Sequence, residues 1–221
     1  MGKLLIFDLD GTLIDSAGGI AHSVNRTRKY FNFPELDEKL ISSYVGNGAK
    51  KLLERAVSDV TLPVSLDEAV KIMIDFYADD PLYHTFCYDG VADGLRQLKS
   101  AGWILTTVSN KPQIVAEKIL DGLNLTELLS ANIGGGGQFP LKPAPDAIDY
   151  LLKKFNCSPN TAWVIGDNYT DLAAAANAGV PAIFCRYGIG NKLDYPADKE
   201  VASFTELTDY IINSHLQEGF L

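Results

Sequence analysis

Nine residues near the start, Leu4-Leu5-Ile6-Phe7-Asp8-Leu9-Asp10-Gly11-Thr12, constrain the fold more than any other stretch. An apolar run leads straight into a carboxylate, a second carboxylate follows two positions on, and then comes a glycine. A short unbroken apolar run closed by a turn signal predicts a buried strand of a parallel sheet. Such sheets place ligands beyond the carboxyl ends of their strands, where Asp8 and Asp10 fall. In an extended chain, period-two geometry points both side chains the same way. Gly11 then permits a sharp exit and a close approach of backbone to ligand. Two carboxylates about 4 Å apart repel by about 4 kcal/mol at an effective dielectric of about 20. Such a pair therefore calls for a shared proton or a cation between its members. Both conditions suit a nucleophile with a partner acid beside a divalent metal. Taken alone, Asp-x-Asp-Gly also occurs in calcium loops and in ordinary acidic turns.

The rest of the chain has the composition of a globular protein. Its 221 residues are 47% hydrophobic and 21% charged, enough for a core domain and a smaller second one. A net charge of −9 argues against nucleic acid as a partner, because phosphate backbones attract basic faces. It does not exclude a small anionic substrate, which feels the local site first. Cys87, Cys157 and Cys185 lie far apart without Cys-x-x-Cys spacing, which fits reduced cysteines of a cytoplasmic protein. The chain opens almost directly on a core strand, so no signal peptide is expected. No apolar run approaches a membrane span.

After Thr12 the periodicity changes. Asp15 and Ser16 offer helix-cap chemistry, and Ile20, Val24, Thr27 and Phe31 recur at helical spacing. Further helices are expected near Leu36–Ile41, after the glycine-rich turn Val45-Gly46-Asn47-Gly48, and over Leu66–Tyr77. No strand is expected between Asp15 and Cys87. Residues 15–87 therefore read as a helical lid inserted into an α/β core made of residues 1–14 and 88–221. Within that core, strands are predicted at Trp103–Val108, Ala131–Ile133, Ala162–Ile165 and Pro181–Cys185, with Val201–Phe204 as an edge strand. Helices alternate with them: Val91–Ser100, one starting at Pro112, one ending at Phe155, Asp171–Ala178 capped by Gly179, and Leu207–Leu216. This alternation predicts a doubly wound parallel sheet, a Rossmann-like α/β core. Three of its strands end in chemistry: Asp8/Asp10, Ser109/Asn110 and Asp167, with Lys142 in the loop after a fourth.

These stretches resemble the motifs of the haloacid dehalogenase superfamily of phosphohydrolases. Asp8-Leu9-Asp10-Gly11-Thr12-Leu13 is similar to the first motif, Ser109 to the second, Lys142-Pro143 to the third, and Gly166-Asp167-Asn168 with Asp171 to the fourth. Ser109-Asn110-Lys111 resembles the Thr-Asn-Lys of the phosphoglycolate phosphatase branch, and Val45-Gly46-Asn47-Gly48 its specificity loop. Asn168 departs from the serine of many relatives, and Tyr88-Asp89-Gly90-Val91 from a more usual Tyr-Pro-Gly-Val turn.

The resemblance implies a Mg²⁺-dependent phosphatase with a mobile helical cap. Asp8 attacks phosphorus, and Asp10 protonates the leaving oxygen and later takes a proton from water. Mg²⁺ is held by Asp8, the Asp10 backbone carbonyl and Asp167. Ser109 and the Asn110 backbone N–H bind phosphate oxygens, and Lys142 neutralises phosphate and nucleophile. Asp171 orients Lys142 or holds a metal-bound water, unless it serves only as a helix cap. Asn47, Gly48 and Lys50 are candidates for substrate contact from the cap. The alternative for Ser109 is a helix cap, and for Asn47, Gly48 and Lys50 a plain helix start. The implied partner is a small phosphorylated metabolite, 2-phosphoglycolate first, handled by a monomer or homodimer with no nucleic acid or membrane. Another small phosphate ester, pyrophosphate, a sugar-phosphate mutase and a non-catalytic phosphate-binding domain are the alternatives. A dehalogenase or phosphonatase has no use for the second acid at position 10.

Overall fold

The computed structural model describes residues 2–218. A sheet of six parallel strands forms the centre, with β1 (Leu4–Phe7), β4 (Ile104–Pro112), β5 (Ala131–Gly135), β6 (Ala162–Gly166), β7 (Ala182–Cys185) and β8 (Lys199–Val201) in the order β5-β4-β1-β6-β7-β8. The strand β1 is central because nothing in it needs water. Leu4 lies between Ile104 and Ala162, Phe7 between Thr107 and Ile165, and all four β1 residues are buried. Alternation sends Leu5 and Phe7 into one core and Leu4 and Ile6 into the other. The first core receives α5 (Val91–Ser100), α6 (Gln113–Gly122) and α9 (Phe204–Glu218), and the second α7 (Asp146–Lys154) and α8 (Tyr169–Ala178). Each fully buried large side chain contributes about 1.5–3 kcal/mol of transfer free energy. The doubly wound parallel sheet read from the sequence is thus the fold observed.

The connections fix where a ligand can sit. From β1 the chain builds outward through β4 and β5, then crosses back to lay β6, β7 and β8 on the other side. The order reverses between β1 and β6, and a crevice opens at such a switch point. Asp8 follows the last residue of β1, and Asp167 follows the last residue of β6.

Between β1 and α5 lie four helices, α1 (Ala17–Tyr30), α2 (Glu38–Ser42), α3 (Gly48–Ala56) and α4 (Leu66–Asp79). Arg28 of α1 ties them together. Its buried guanidinium donates to both oxygens of Asp59 at 2.7 and 2.8 Å, to the Pro34 carbonyl at 2.6 Å, and to the Ala56 carbonyl. The segment is not strand-free, as its sequence suggested. Ile14–Asp15 (β2) and Phe86–Cys87 (β3) pair antiparallel where the chain leaves and re-enters the core. Two-residue strands are too short for alternation to reveal them.

Three further boundaries differ. Ser109, Asn110 and Lys111 continue β4 to Pro112 rather than ending it, with a register shift against β5 between Val108 and Pro112. Their polar side chains imitate a turn, but all three are buried. Pro112 is consequently the residue before α6 and not its first turn. The helix α8 opens at Tyr169 because Asn168 and Asp171 form a reciprocal capping box, and α9 opens at Phe204 after an edge strand at 199–201.

Candidate active site

At the carboxyl end of the sheet each functional side chain has a defined set of partners. Asp8 Oδ1 accepts from the Leu9 N–H at 2.7 Å and lies 2.9 Å from the Lys142 Nζ. Lys142 also donates to the Val108 carbonyl at 2.6 Å and to Asp171 Oδ1 at 2.6 Å. An ammonium has three N–H donors, so Lys142 is fully engaged. Asp171 in turn accepts from the Asn168 N–H through Oδ2 at 3.0 Å. It therefore caps α8 and orients Lys142 at once, combining the two roles its sequence position allowed.

Asp10 has a separate set. Its Oδ1 accepts from Ser16 Oγ at 2.5 Å and from Lys111 Nζ at 2.8 Å. The sequence argument called for a shared proton or a cation between Asp8 and Asp10. Each carboxylate also carries its own lysine, which offsets part of their repulsion. The crowding lies elsewhere: ligand oxygens of Asp8, Asp167 and Asp171 fall within 4.8 Å of one another. Asp167 Oδ2 accepts from the Gly190 N–H at 2.7 Å, while Oδ1 faces Thr12 Oγ1 at a loose 3.4 Å. Gly11 turns at φ +82°, and a side chain there would collide with the Asp167 carboxylate.

The electrostatics follow from this crowding. Burial, then the Asp171 charge, push Asp8 up from 3.8 to about 6, against the pull of Lys142. Burial and the charges of Asp8 and Asp171 raise Asp167 as well. For Lys142, burial pulls down, but Asp171 and Asp8 outweigh it and hold the ammonium above its ordinary value. Lys111 is likewise pulled down by burial and held up by Asp10 and Tyr77. An all-oxygen donor set with excess negative charge suits a hard divalent cation. Of this trio, Asp171 has each oxygen in a firm hydrogen bond, from Lys142 and from the Asn168 N–H. Asp167 Oδ1 has only the loose Thr12 contact and Asp8 takes its bonds on Oδ1, so Asp8 and Asp167 are better placed to hold a cation.

Asn110 organises the loops around this cluster. Its Nδ2 donates to the carbonyls of Gly46 and Lys142 at 2.9 and 3.0 Å, and its Oδ1 accepts from the Lys142 N–H at 2.8 Å. Ser109 is buried, lines the cavity, and accepts from the Lys111 N–H at 3.2 Å. No side-chain cap of α6 by Ser109 is present.

A cavity of about 60 Å³ joins these groups. One water needs about 10–15 Å³ on this scale, so the space admits only a few small groups. Asp8, Asp10, Ser109, Lys111, Lys142 and Asp167 line its floor, and Ile20, Leu52, Met73, Ile74 and Tyr77 its ceiling.

The candidates from the glycine-rich turn divide. Gly46 and Gly48 line the cavity. Lys50 does not: it is exposed and pairs with Asp67 at 2.7 Å, because α3 turns its side chain outward. Asn47 also points away, donating to the Tyr169 hydroxyl at 2.6 Å and accepting from Arg55 at 3.0 Å. It joins the helices to the core instead of reaching the cavity. Lys111, Tyr77 and Ser16 were not among the candidates. Ser16 carried the signature of a helix cap, yet Asp15 caps the Ala17 N–H while Ser16 serves Asp10. Tyr77 carried only helical periodicity. A signal for Lys111 existed: a lysine follows the hydroxyl and amide at the end of an apolar strand.

Together these features define a doubly wound α/β enzyme with a charged cluster at its switch point and helices above it. The model of the haloacid dehalogenase-like hydrolase family matches residues 5–185. A phosphoglycolate phosphatase of Colwellia psychrerythraea is 38% identical over 192 residues, 84% of this chain and 85% of that protein. Another, of Chromobacterium violaceum, is 31% identical over 96% of this chain and 97% of its own length. The crystal structure of a predicted phosphoglycolate phosphatase from Haemophilus somnus superposes with a TM-score of 0.87 at 29% identity, covering 96% of this chain and 98% of that one. The chain belongs to the haloacid dehalogenase-like hydrolases, and it is a phosphatase. Among the described residues no helix is long and apolar enough to cross a membrane.

Proposed function

We propose that this phosphatase hydrolyses small phosphomonoesters through an aspartyl-phosphate on Asp8, with Mg²⁺ as cofactor and 2-phosphoglycolate as substrate. The observation that carries the reading is the pair of lysine–carboxylate sets at one sheet edge. Lys142 holds Asp8 in a fixed orientation, and a separate acid, Asp10, stands beside it.

Asp8 attacks phosphorus through its open oxygen, and the bond to the leaving oxygen breaks. Asp10 delivers a proton to that oxygen and then accepts one from the water that hydrolyses the acyl phosphate. Such acid–base help is worth about 10²–10⁴-fold. Ser109 and the Asn110 N–H bind phosphate oxygens, and Lys142 offsets charge on phosphate and nucleophile. Asp8, Asp167 and the Asp10 backbone carbonyl would hold Mg²⁺, which neutralises and orients the phosphate when bound.

Residues 15–87 act as a lid on a core of 1–14 and 88–221, with the β2–β3 ribbon as its stem and the apolar ceiling excluding water. The small cavity favours a substrate the size of phosphoglycolate. Three free cysteines support a cytoplasmic setting.

Phosphate release from a panel of small esters, with Mg²⁺ and with excess chelator, tests the reading. Turnover of phosphoglycolate that chelation abolishes and Mg²⁺ restores is the expected result. Full activity in chelator, or no ester hydrolysed, would overturn it.

A further inference from the structure

Lys111 is the second buried ammonium of the cavity, and the reaction above gives it no contact with the substrate. Its side chain is 2% exposed, and it donates to Asp10 at 2.8 Å and to the Tyr77 hydroxyl at 2.7 Å. An ammonium has three N–H donors. For Lys142 all three meet protein acceptors. For Lys111 the third meets none among the described residues, although the side chain lines the cavity. Around it the ceiling is apolar, with Ile20, Met73 and Ile74, so a second anion entering here has one cation to meet.

The spacing fits a short ligand with two charges. Ser109 and Lys111 stand two residues apart in β4, and both line the cavity. The strand is irregular between Val108 and Pro112, and four consecutive residues from Ser109 to Pro112 all line this cavity, so Ser109 and Lys111 border the same space. A phosphate bound at Ser109, with the Lys142 charge nearby, thus leaves Lys111 in the same small cavity within reach of an anionic group a few bonds along the same molecule. Taking an ammonium out of water is costly, and pairing with one carboxylate rarely makes that a gain in stability. Recognition of a second anion is a use that repays it.

We propose that Lys111, assisted by the Tyr77 hydroxyl, docks a carboxylate that the substrate carries beside its phosphate ester, so that the enzyme selects phosphorylated hydroxy acids. This rests on the phosphatase reading and adds the group that reads the remainder of the substrate. Lys111 acts as a specificity residue, and its bond to Asp10 keeps it in place.

The test compares 2-phosphoglycolate with ethyl phosphate, in which a methyl group replaces the carboxylate. Values of kcat/KM are measured with Mg²⁺ for the wild type, Lys111→Met and Tyr77→Phe. Any disturbance of Asp10 affects both esters, so the ratio isolates the second anion. The wild type is expected to favour phosphoglycolate by about 10- to 100-fold, the worth of one charge-assisted hydrogen bond. Lys111→Met should erase that preference, chiefly through KM, and Tyr77→Phe should erase part of it. A ratio unchanged in Lys111→Met means that Lys111 serves Asp10 alone. Equal use of both esters by the wild type overturns the inference and leaves the phosphatase reading standing. Calorimetric binding to the wild type needs neither turnover nor a folded variant. Phosphonoacetate should bind at least about tenfold more tightly than ethylphosphonate and be displaced by inorganic phosphate. Equal affinities would sink the proposal even if no ester were hydrolysed.

Discussion

The sheet edge brings Asp8, Asp10, Asp167, Lys111 and Lys142 to the cavity, whereas the helices above bring Ile20, Leu52, Met73, Ile74 and Tyr77. On the sheet side most polar side chains are held by hydrogen bonds or ion pairs, several of them to backbone groups. Asn110 alone fixes the carbonyls of Gly46 and Lys142 and the Lys142 N–H. On the helix side shape and dryness are supplied, with Ser23 and Tyr77 the polar exceptions. The difference separates two tasks. Charge must be pre-set where bonds form and break, because reorganising dipoles during reaction raises the barrier. Exclusion of water can be left to apolar side chains on elements free to move. Interference below should therefore abolish the chemistry, and interference above should change which molecules reach it.

The largest effect is expected at Asp8. Asp8→Asn keeps the shape and removes the attacking charge, so kcat should fall by at least about 10³-fold with the circular dichroism spectrum intact. Substantial turnover in the purified variant would remove Asp8 from the covalent role. The same variant reports on the electrostatics. Asp8 is raised from 3.8 to about 6 by burial and by Asp171. A raised carboxylate gives stability that is fully present below the unfolded value and lost as pH climbs through the folded one. In chelator, the wild type should therefore lose up to about 3 kcal/mol between pH 4 and pH 7 relative to Asp8→Asn. Thermal melts across that range check it. A constant difference between the two proteins would show that Asp8 is not crowded.

Asp167 gives the next effect. It flanks the switch point opposite Asp8 and offers an oxygen with only a 3.4 Å contact to Thr12. Asp167→Ala should raise the Mg²⁺ concentration needed for half-maximal activity by at least about 10- to 100-fold, since even groups behind a metal ligand are worth that much. An unshifted metal curve would place the cation elsewhere.

The two regions also differ in how far the sequence discloses them. On the sheet side, chemistry-bearing residues interrupt apolar strands at their ends, where a parallel sheet must put its site. Asp8, Asp10, Ser109, Lys142 and Asp167 could be gathered from that rule, and the sheet order followed from alternating strands and helices. What stayed hidden was pairing. The sequence set Asp8 against Asp10, yet the bonds set Asp10 with Lys111 and Asp8 with Lys142, because lysine reach depends on where loops cross. On the helix side the ceiling residues recur at helical spacing, which is also how any core residue recurs. Nothing in Met73 or Tyr77 marks it as facing a cavity instead of another helix. The β2–β3 ribbon escaped for a different reason, since two residues carry no period.

The smallest effects separate two neighbours in the glycine-rich turn. Gly48 adopts φ +83°, lines the cavity, and would set a new Cβ 2.6 Å from Leu141 Cδ1. Gly48→Val therefore strains the backbone and pushes the turn away from the sheet edge. The kcat/KM for phosphoglycolate should fall about tenfold further than that for p-nitrophenyl phosphate, which demands less of a closed ceiling. Lys50 lies two residues on, but its side chain is 64% exposed and pairs with a 72% exposed Asp67 side chain. An exposed pair of this kind is worth at most about 1 kcal/mol. Lys50→Ala should leave both kcat/KM values within about twofold of wild type and shift the melting temperature only slightly. If Lys50→Ala instead lowered phosphoglycolate turnover selectively, the helices would have to swing this lysine inward on closing. The ceiling would then supply charge as well as shape, and the contrast between the two regions would fail. If Gly48→Val spared the ratio, the turn would contribute no selectivity, and discrimination would fall to the sheet side alone.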